Sequence, residues 1–397
     1  MTDTAPTDAT ITVVSSLSDI AREDWDACAN PDGETYNPFL AHDFLWSLEE
    51  SGAATAKSGW LGQHLVLADG DGSPSAVLPC YLKSHSMGEY VFDAGWADAF
   101  ERAGGRYYPK LQASVPFTPV TGRRLLVKPS PDADRSRAIL AHGAATLAER
   151  HTISSVHVTF ATESDWRILG SAGYLQRTDQ QYHFFNDGYG NFDDFLAALA
   201  SRKRKTIRRE RRDATASGLE IVHLTGSDLT ESVWDAFFTF YMDTGARKWG
   251  RPYLNRTFFS LIGERMADRI LLIMAKRGDT FVAGALNMIG SDALYGRYWG
   301  TTENLPFLHF EICYYQAIDW AIAHKLARVE AGAQGEHKVT RGYRPLTTYS
   351  AHWIAHSGFR DAVEAFLRQE RQQVARDNKV LEEYLPFKQS EETGPER

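Results

Sequence analysis

Two mixed α/β units in tandem are the fold class this sequence predicts, and three observations predict it. The chain has 397 residues, too many for one ordinary domain. Apolar residues make up 43% of it, with 17 Tyr, 21 Phe and 10 Trp, enough to build large cores. The order of strands and helices in the first half recurs in the second. That order suits a mixed sheet flanked by helices, not a doubly wound parallel sheet.

Residues 1–10 are mainly Thr, Ala and Asp, with no positive start and no apolar stretch. They read as a disordered tail and not a secretion signal. The first unit is expected over 11–190. Ile11-Thr12-Val13-Val14-Ser15 reads as a strand, Ser18–Cys28 and Ala41–Ser51 as helices. His64–Ala68 and Ser75–Lys83 pair about the Gly-rich turn Asp69–Ser73, and Glu89–Asp93 reads as a third strand. An irregular section runs to Lys128. Helix Arg135–Arg150, strand Ile153–Phe160, helix Glu163–Ser171 and strand Gly173–Phe185 close the unit.

The second unit is expected over 191–388. It opens with a long helix, Asn191–Ser217, then strand Leu219–Leu224 and helices Asp228–Gly245 and Asn255–Met266. Strands Arg269–Lys276, Thr280–Ile289 and Asp292–Tyr298 form a meander. Helix Leu308–His324 carries apolar residues at helical spacing. Strand Leu326–Glu330, a polar loop, strand Thr348–His356 and helix Asp361–Tyr384 follow. Residues 389–397 read as a second disordered tail. The repeat shows in Leu65-Val66-Leu67-Ala68 beside Leu272-Ile273-Met274-Ala275, and in Gln181-Tyr182-His183-Phe184-Phe185 beside Ser350-Ala351-His352-Trp353-Ile354.

The net charge of −8 excludes a polycation that binds nucleic acid through its whole surface. The cysteines Cys28, Cys80 and Cys313 are scattered and read as thiols in a reducing cytosol, so a cytoplasmic protein is expected. No run of about 18 apolar residues offers a transmembrane helix. Neither zinc-type spacing nor a Gly-x-Ser-x-Gly elbow occurs.

One loop gathers unlike chemistry. Ala331-Gly332-Ala333-Gln334-Gly335-Glu336-His337-Lys338-Val339-Thr340-Arg341-Gly342-Tyr343-Arg344-Pro345 sets an acid, an imidazole, an amine and two guanidinium groups within nine residues. Two glycines in four positions oppose a helix, and no apolar alternation supports a strand. An ordered loop between two strands is expected, and such loops carry polar groups for chemistry. A solvated charged turn is the plain alternative.

His309-Phe310-Glu311-Ile312-Cys313-Tyr314-Tyr315-Gln316, Gly332–Lys338 with Arg341-Gly342, Ser350-Ala351-His352-Trp353, Val115-Pro116-Phe117-Thr118-Pro119-Val120 and the basic Arg204–Arg211 together carry a resemblance. Over nearly its whole length the chain resembles the FemAB-like family of N-acyltransferases, relatives of the Fem-type peptidoglycan aminoacyltransferases. The resemblance implies two GNAT-like units and an amide-forming transfer to an amine. The co-substrate is then acyl-CoA or aminoacyl-tRNA, with no tightly bound cofactor. The amine belongs to a small molecule or a cell-wall precursor, and tRNA is a possible partner.

Acyl transfer to an amine needs a base, an oxyanion site and a bound donor. Glu336 or His337 is the expected base, with Glu311 as a further acid near the same cleft. Glu311 also suits the helix dipole where it stands. Gln334, Lys338 and Arg341 are expected to hold donor or acceptor groups, and His309 to face the cleft. By the fold analogy, Arg297 and Trp299 line the donor cleft where the Asp292–Tyr298 strand splays, with backbone amides near Tyr298–Gly300 for the oxyanion. The loop Gly300–Pro306 lacks the Arg/Gln-x-x-Gly-x-Gly/Ala pattern that cradles the coenzyme A pyrophosphate, which counts against acetyl-CoA in this half.

Eight of the eleven residues Arg202–Arg212 are basic. On a helix, Arg202, Lys205, Arg209 and Arg212 share one face, with Leu196, Leu199 and Ile207 on the buried side. Arg204 and Arg208 are expected to meet phosphate on tRNA, a nucleotide or a lipid head group; a solvated helix face is the alternative. Lys248 and Tyr253 belong to an Arg/Trp/Tyr cluster that either recognises a ligand or closes a core. A non-catalytic module that binds a nucleic acid or an anionic cell-wall precursor through the basic helix is the second functional reading.

Overall fold

The computed structural model describes residues 10–70, 72–216, 218–249, 252–332 and 335–388, without the side chains of 246–249 and 336. Apart from Thr10, both expected tails lie outside the described residues. The chain divides into two compact units, each assembled from separated stretches. Unit 1 comprises Met1–Asp179, Pro252–Ala267 and Thr347–Ala375. Unit 2 comprises Gln180–Arg251, Asp268–Leu346 and Arg376–Arg397.

Unit 1 has a small antiparallel sheet and a mixed one. In the small sheet Ile11–Val14, His64–Ala68, Pro74–Leu78 and Leu126–Val127 lie side by side. In the mixed sheet Trp60–Gly62 pairs antiparallel with Tyr81–Lys83, which pairs antiparallel with Lys110–Ala113. Lys110–Ala113 runs parallel to Ser155–Ala161. The last strand is contributed by residues 349–354, antiparallel to Ser155–Ala161. Helix Ala133–Arg150 presents Leu140, Ala141, Ala144 and Ala148 to the apolar core, at the 3–4 residue spacing of a buried helical stripe.

Unit 2 repeats the theme. Glu220–Leu224 joins the expected meander of Ile270–Arg277, Thr280–Ile289 and Ala293–Thr301, all antiparallel. Ala293–Thr301 then runs parallel to Arg328–Glu330. The sheet closes on residues 183–185, antiparallel to Arg328–Glu330. Each unit therefore ends on the strand that follows the other unit's parallel strand in sequence. This exchange is why the units are not the contiguous stretches 11–190 and 191–388.

Several expectations differ from the structure. Ser75–Lys83 is not one strand but two, Pro74–Leu78 in the small sheet and Tyr81–Lys83 in the mixed one. Glu89–Asp93 is not a strand: Gly88 and Tyr90 both adopt positive φ, +81° and +60°, and turn the segment so that Glu89 and Asp93 reach Lys110. The section before Lys128 is not wholly irregular, since it holds helix Ala94–Arg102 and strand Lys110–Ala113. The long basic helix is two helices, Phe192–Ala198 and Ser201–Thr215, because Leu199 turns extended (ψ 152°), buries itself and bridges to Phe387.

Candidate active site

In unit 2 the strands Ala293–Thr301 and Arg328–Glu330 part company. Their pairing stops at Tyr295 opposite Glu330, although the first strand continues for six residues. A bulge at Arg297 marks the point, since Leu286 faces Tyr298 while Asn287 faces Gly296. Bulges re-aim side chains and end pairing next to functional sites. Here the bulge turns Arg297 inward. Its Nη1 donates to the carbonyls of Gly296 (2.8 Å) and Glu330 (3.3 Å), and Nη2 stands 3.5 Å from Glu330 Oε2.

The loop that follows Glu330 closes over this opening. Residues Glu336–Arg341 form a turn of 3₁₀ helix rather than an open loop. Gly335 precedes it at φ +112°, where a Cβ would meet the His337 ring at 2.5 Å, so only glycine fits. Lys338 is buried, and its Nζ donates to the carbonyls of Ala331 (2.6 Å) and Gly332 (3.0 Å). Burial, with the charge of Arg297 acting in the same direction, pushes its amine down to about 7. Cys313 opposes that shift. An amine that titrates near neutrality can take or give a proton at working pH.

His337 is exposed at the rim, where its Nε2 and the Tyr314 hydroxyl are hydrogen-bonded at 2.9 Å. Its ring lies 6.4 Å from that of His309, which meets Trp299 edge-on at 5.3 Å. Trp299 and His309 line a cavity of about 380 Å³ with Thr244, Thr301, Asn304 and Leu305. His309 therefore makes ring contacts with both Trp299 and His337, and His337 adjoins Lys338 in the 3₁₀ turn.

Helix Leu308–Ala323 supplies this wall, and it is not regular. Phe307 adopts a left-handed φ of +61° at its start, and Glu311–Tyr315 widen into a π turn, a feature common at functional sites. Glu311 is engaged by the basic helix. It is 2% exposed and accepts from Arg211 (3.1 Å) and Gln316 (2.7 Å). Arg341 is engaged likewise, with Glu210, the Tyr315 hydroxyl (2.9 Å) and the His337 carbonyl (2.9 Å), its guanidinium 3.5 Å over the Phe310 ring.

A second cavity of about 290 Å³ lies between the basic helix and the loop, lined by Arg202, Lys203, Thr206, Glu210, Tyr315 and Arg341. Arg202, Lys205, Arg209 and Arg212 are exposed, and Ile207 is buried, as the helical spacing predicts. Arg208 is exposed and pairs with Asp193 at 3.0 Å, while Arg204 is half-buried. Tyr253 belongs to unit 1, stacked on Phe117 at 5.0 Å. Gln334 and the side chains of Glu336 and Lys248 lie outside the described residues.

Sequence reasoning missed Glu210, Arg211, Tyr314 and Tyr315, which hold the site together. The signal available was Glu210, the one acid inside a run of arginines. The FemAB-like family model, described by peptidoglycan biosynthesis/recognition, matches residues 16–389. The chain belongs to the FemAB-like family. No curated protein matches it in sequence. Among solved structures it is similar to FemX, with TM-score 0.53 and 11% identity over 87% of this chain and 98% of that one. It is also similar to L-PGS from Bacillus licheniformis, with TM-score 0.50 and 10% identity over 85% and 98%. Identities this low carry the fold alone: the FemAB-like chain is mixed α+β, two GNAT-like units in tandem. Among the described residues, no helix is long and apolar enough to cross a membrane.

Proposed function

We propose that this FemAB-like protein is an N-acyltransferase that moves an acyl or aminoacyl group from an activated donor onto a substrate amine, in cell-wall precursor metabolism. The observation that carries the reading is the parting of strands Ala293–Thr301 and Arg328–Glu330, with Arg297 and Lys338 inside the opening and His337 at its rim. His337 or Glu336 takes the ammonium proton, and the neutral amine attacks the donor carbonyl. Backbone amides near Tyr298–Gly300 hold the oxyanion, and the donor's thiolate or ribose hydroxyl leaves as the amide forms. The attacking nitrogen gives up its second proton as the adduct collapses, and Lys338, poised near neutrality, takes it and passes it to the leaving sulfur or oxygen.

The family's description and the FemX-like fold support amide formation in peptidoglycan synthesis. The donor is an acyl-CoA or an aminoacyl-tRNA, and the loop Gly300–Pro306, with Glu303 in it and no pyrophosphate cradle, favours the latter. The test is mass spectrometry of amide products after incubation with each donor class and an amine acceptor. New amide with either donor, lost in His337→Ala, is expected. No product from any pair rejects the reading.

A second reading rests on the exposed row Arg202, Lys205, Arg209 and Arg212: a non-catalytic module holding a nucleic acid or an anionic cell-wall precursor. Binding that falls steeply with salt, with no acyl product, is its signature.

A further inference from the structure

In unit 1 one face of the mixed sheet is polar yet buried, although a covered sheet face is normally apolar. Alternate residues of a strand share a face. Lys110 and Gln112 share one with Ser114 beyond them. Lys83 stands opposite Lys110, and Tyr81 and His157 opposite Gln112. His352 stands opposite His157. All seven are at most 2% exposed. The other face of these strands, with Leu111, Ala113, Val156 and Val158, belongs to the apolar core.

The segment that turns at Gly88 and Tyr90 brings Glu89 and Asp93 onto the polar face. Lys110 Nζ donates to Glu89 Oε2 (2.6 Å), to Ser86 Oγ (2.9 Å) and to Asp93 Oδ2, so its three protons are engaged. Lys83 Nζ donates to the Met87 carbonyl at 3.0 Å and lies 3.5 Å over the Trp60 ring. It stands 3.7 Å from Glu89 Oε1, beyond hydrogen-bond reach. Tyr107 donates to Asp93 at 2.7 Å, and His157 Nδ1 meets His352 Nδ1 at 2.7 Å.

What is left over is mostly acceptors, although on the same face the Tyr81 hydroxyl, which can donate or accept, and the Trp60 Nε1–H, which donates, are also without a hydrogen-bond partner. Glu89 Oε1, Asp93 Oδ1, Gln112 Oε1, Ser114 Oγ and His352 Nε2 are buried and without a hydrogen-bond partner. The first three are acceptors only, and the other two can accept. Five unfilled acceptors over one layer call for an occupant that supplies protons. Both carboxylates meet Lys110 Nζ through their other oxygens, Glu89 Oε2 and Asp93 Oδ2.

We propose that this face is an enclosed binding site for a small primary amine that also bears hydroxyl groups. The ammonium donates to the free oxygens of Glu89 and Asp93, and the hydroxyls donate to Gln112, Ser114 and His352. The charge balance agrees. Burial pushes the Lys83 amine down to about 7 against the pull of Glu89. A cationic ligand therefore does not have to share the layer with two fixed ammonium groups. The site lies wholly in unit 1 and stands independently of the transfer reaction proposed for unit 2.

Titration calorimetry of the full chain tests it with two matched pairs of probes, ethanolamine against ethylene glycol and glucosamine against glucose. One amine is expected to bind at one equivalent, at least tenfold more tightly than its hydroxyl counterpart. Glu89→Gln is expected to weaken that binding at least tenfold. A crystal structure of the unaltered protein soaked in the amine that binds checks the claim without a variant, and places its nitrogen between Glu89 and Asp93. Equal binding within both pairs, no binding, unchanged affinity in Glu89→Gln, or water alone at these acceptors overturns the proposal.

Discussion

Arg341 Nη2 stands 3.0 Å from both carboxylate oxygens of Glu210 in the interior of unit 2. Glu210 also accepts from the Tyr315 hydroxyl. One acid thus ties three elements together: the basic helix, the π turn and the loop of the candidate site. Removing one partner of a buried, hydrogen-bonded ion pair strands the other and costs about 3–5 kcal/mol. Glu210→Ala is therefore expected to lower unfolding free energy by about 3 kcal/mol, and Tyr315→Phe by about 1 kcal/mol. Urea unfolding measures both, and equal midpoints for Glu210→Ala and the unaltered protein would contradict the network.

His337 and Glu336 are expected to matter for turnover more than for stability. His337 is exposed, and its side-chain hydrogen bond to Tyr314 is replaceable by water. His337→Ala and Glu336→Gln should each lower kcat about 10²-fold or more, the usual scale of general-base loss, while circular dichroism and melting stay unchanged. Full activity in both variants removes them from the mechanism.

Lys338 sets a sign for pH dependence. In the folded protein its amine sits at about 7; in the unfolded chain it returns to the usual value of about 10.4. Between those values the unfolded chain holds the extra proton, so this group makes stability rise as pH increases from about 7 to 10. The gain is complete above the unfolded value and is lost as pH falls through the folded one. Lys83 in unit 1 acts in the same direction. Lys338→Met should flatten part of the rise in urea midpoints between pH 7 and pH 9, leaving the part due to Lys83. A slope unchanged in Lys338→Met contradicts the burial argument.

The exposed face of the basic helix predicts salt dependence. If the substrate carries phosphate, each phosphate neutralised by a cation of that face releases about one counterion. Arg209→Ala should therefore reduce the slope of log affinity against log salt by about 1. Glu210→Ala changes stability instead, although it is the adjacent residue. Binding measured at several salt concentrations separates the two.

Much of the fold was legible because its signals are local. Helix Glu163–Ser171 and strand Thr280–Ile289 match their expected bounds, since apolar spacing and flanking turns define them within a few residues. What was not legible depends on distant partners. Glu89–Asp93 looks like a strand until Lys110 is placed beside it. Leu199 looks helical until Phe387 pairs with it. In the site, the polar loop could be picked out by composition, but the charged partners of Glu311 and Arg341, Arg211 and Glu210, lie 100 and 131 residues away in sequence.

The interleaving of the two units has a consequence for synthesis on the ribosome. Unit 1 needs residues 349–354 for its last strand and Ser357–Glu383 for a packing helix, so most of the chain must emerge before it is complete. Until then Ser155–Ala161 has a bare edge, an invitation to wrong pairing. A nascent chain halted near residue 190 should be readily digested by protease, and no single cut yields a finished half.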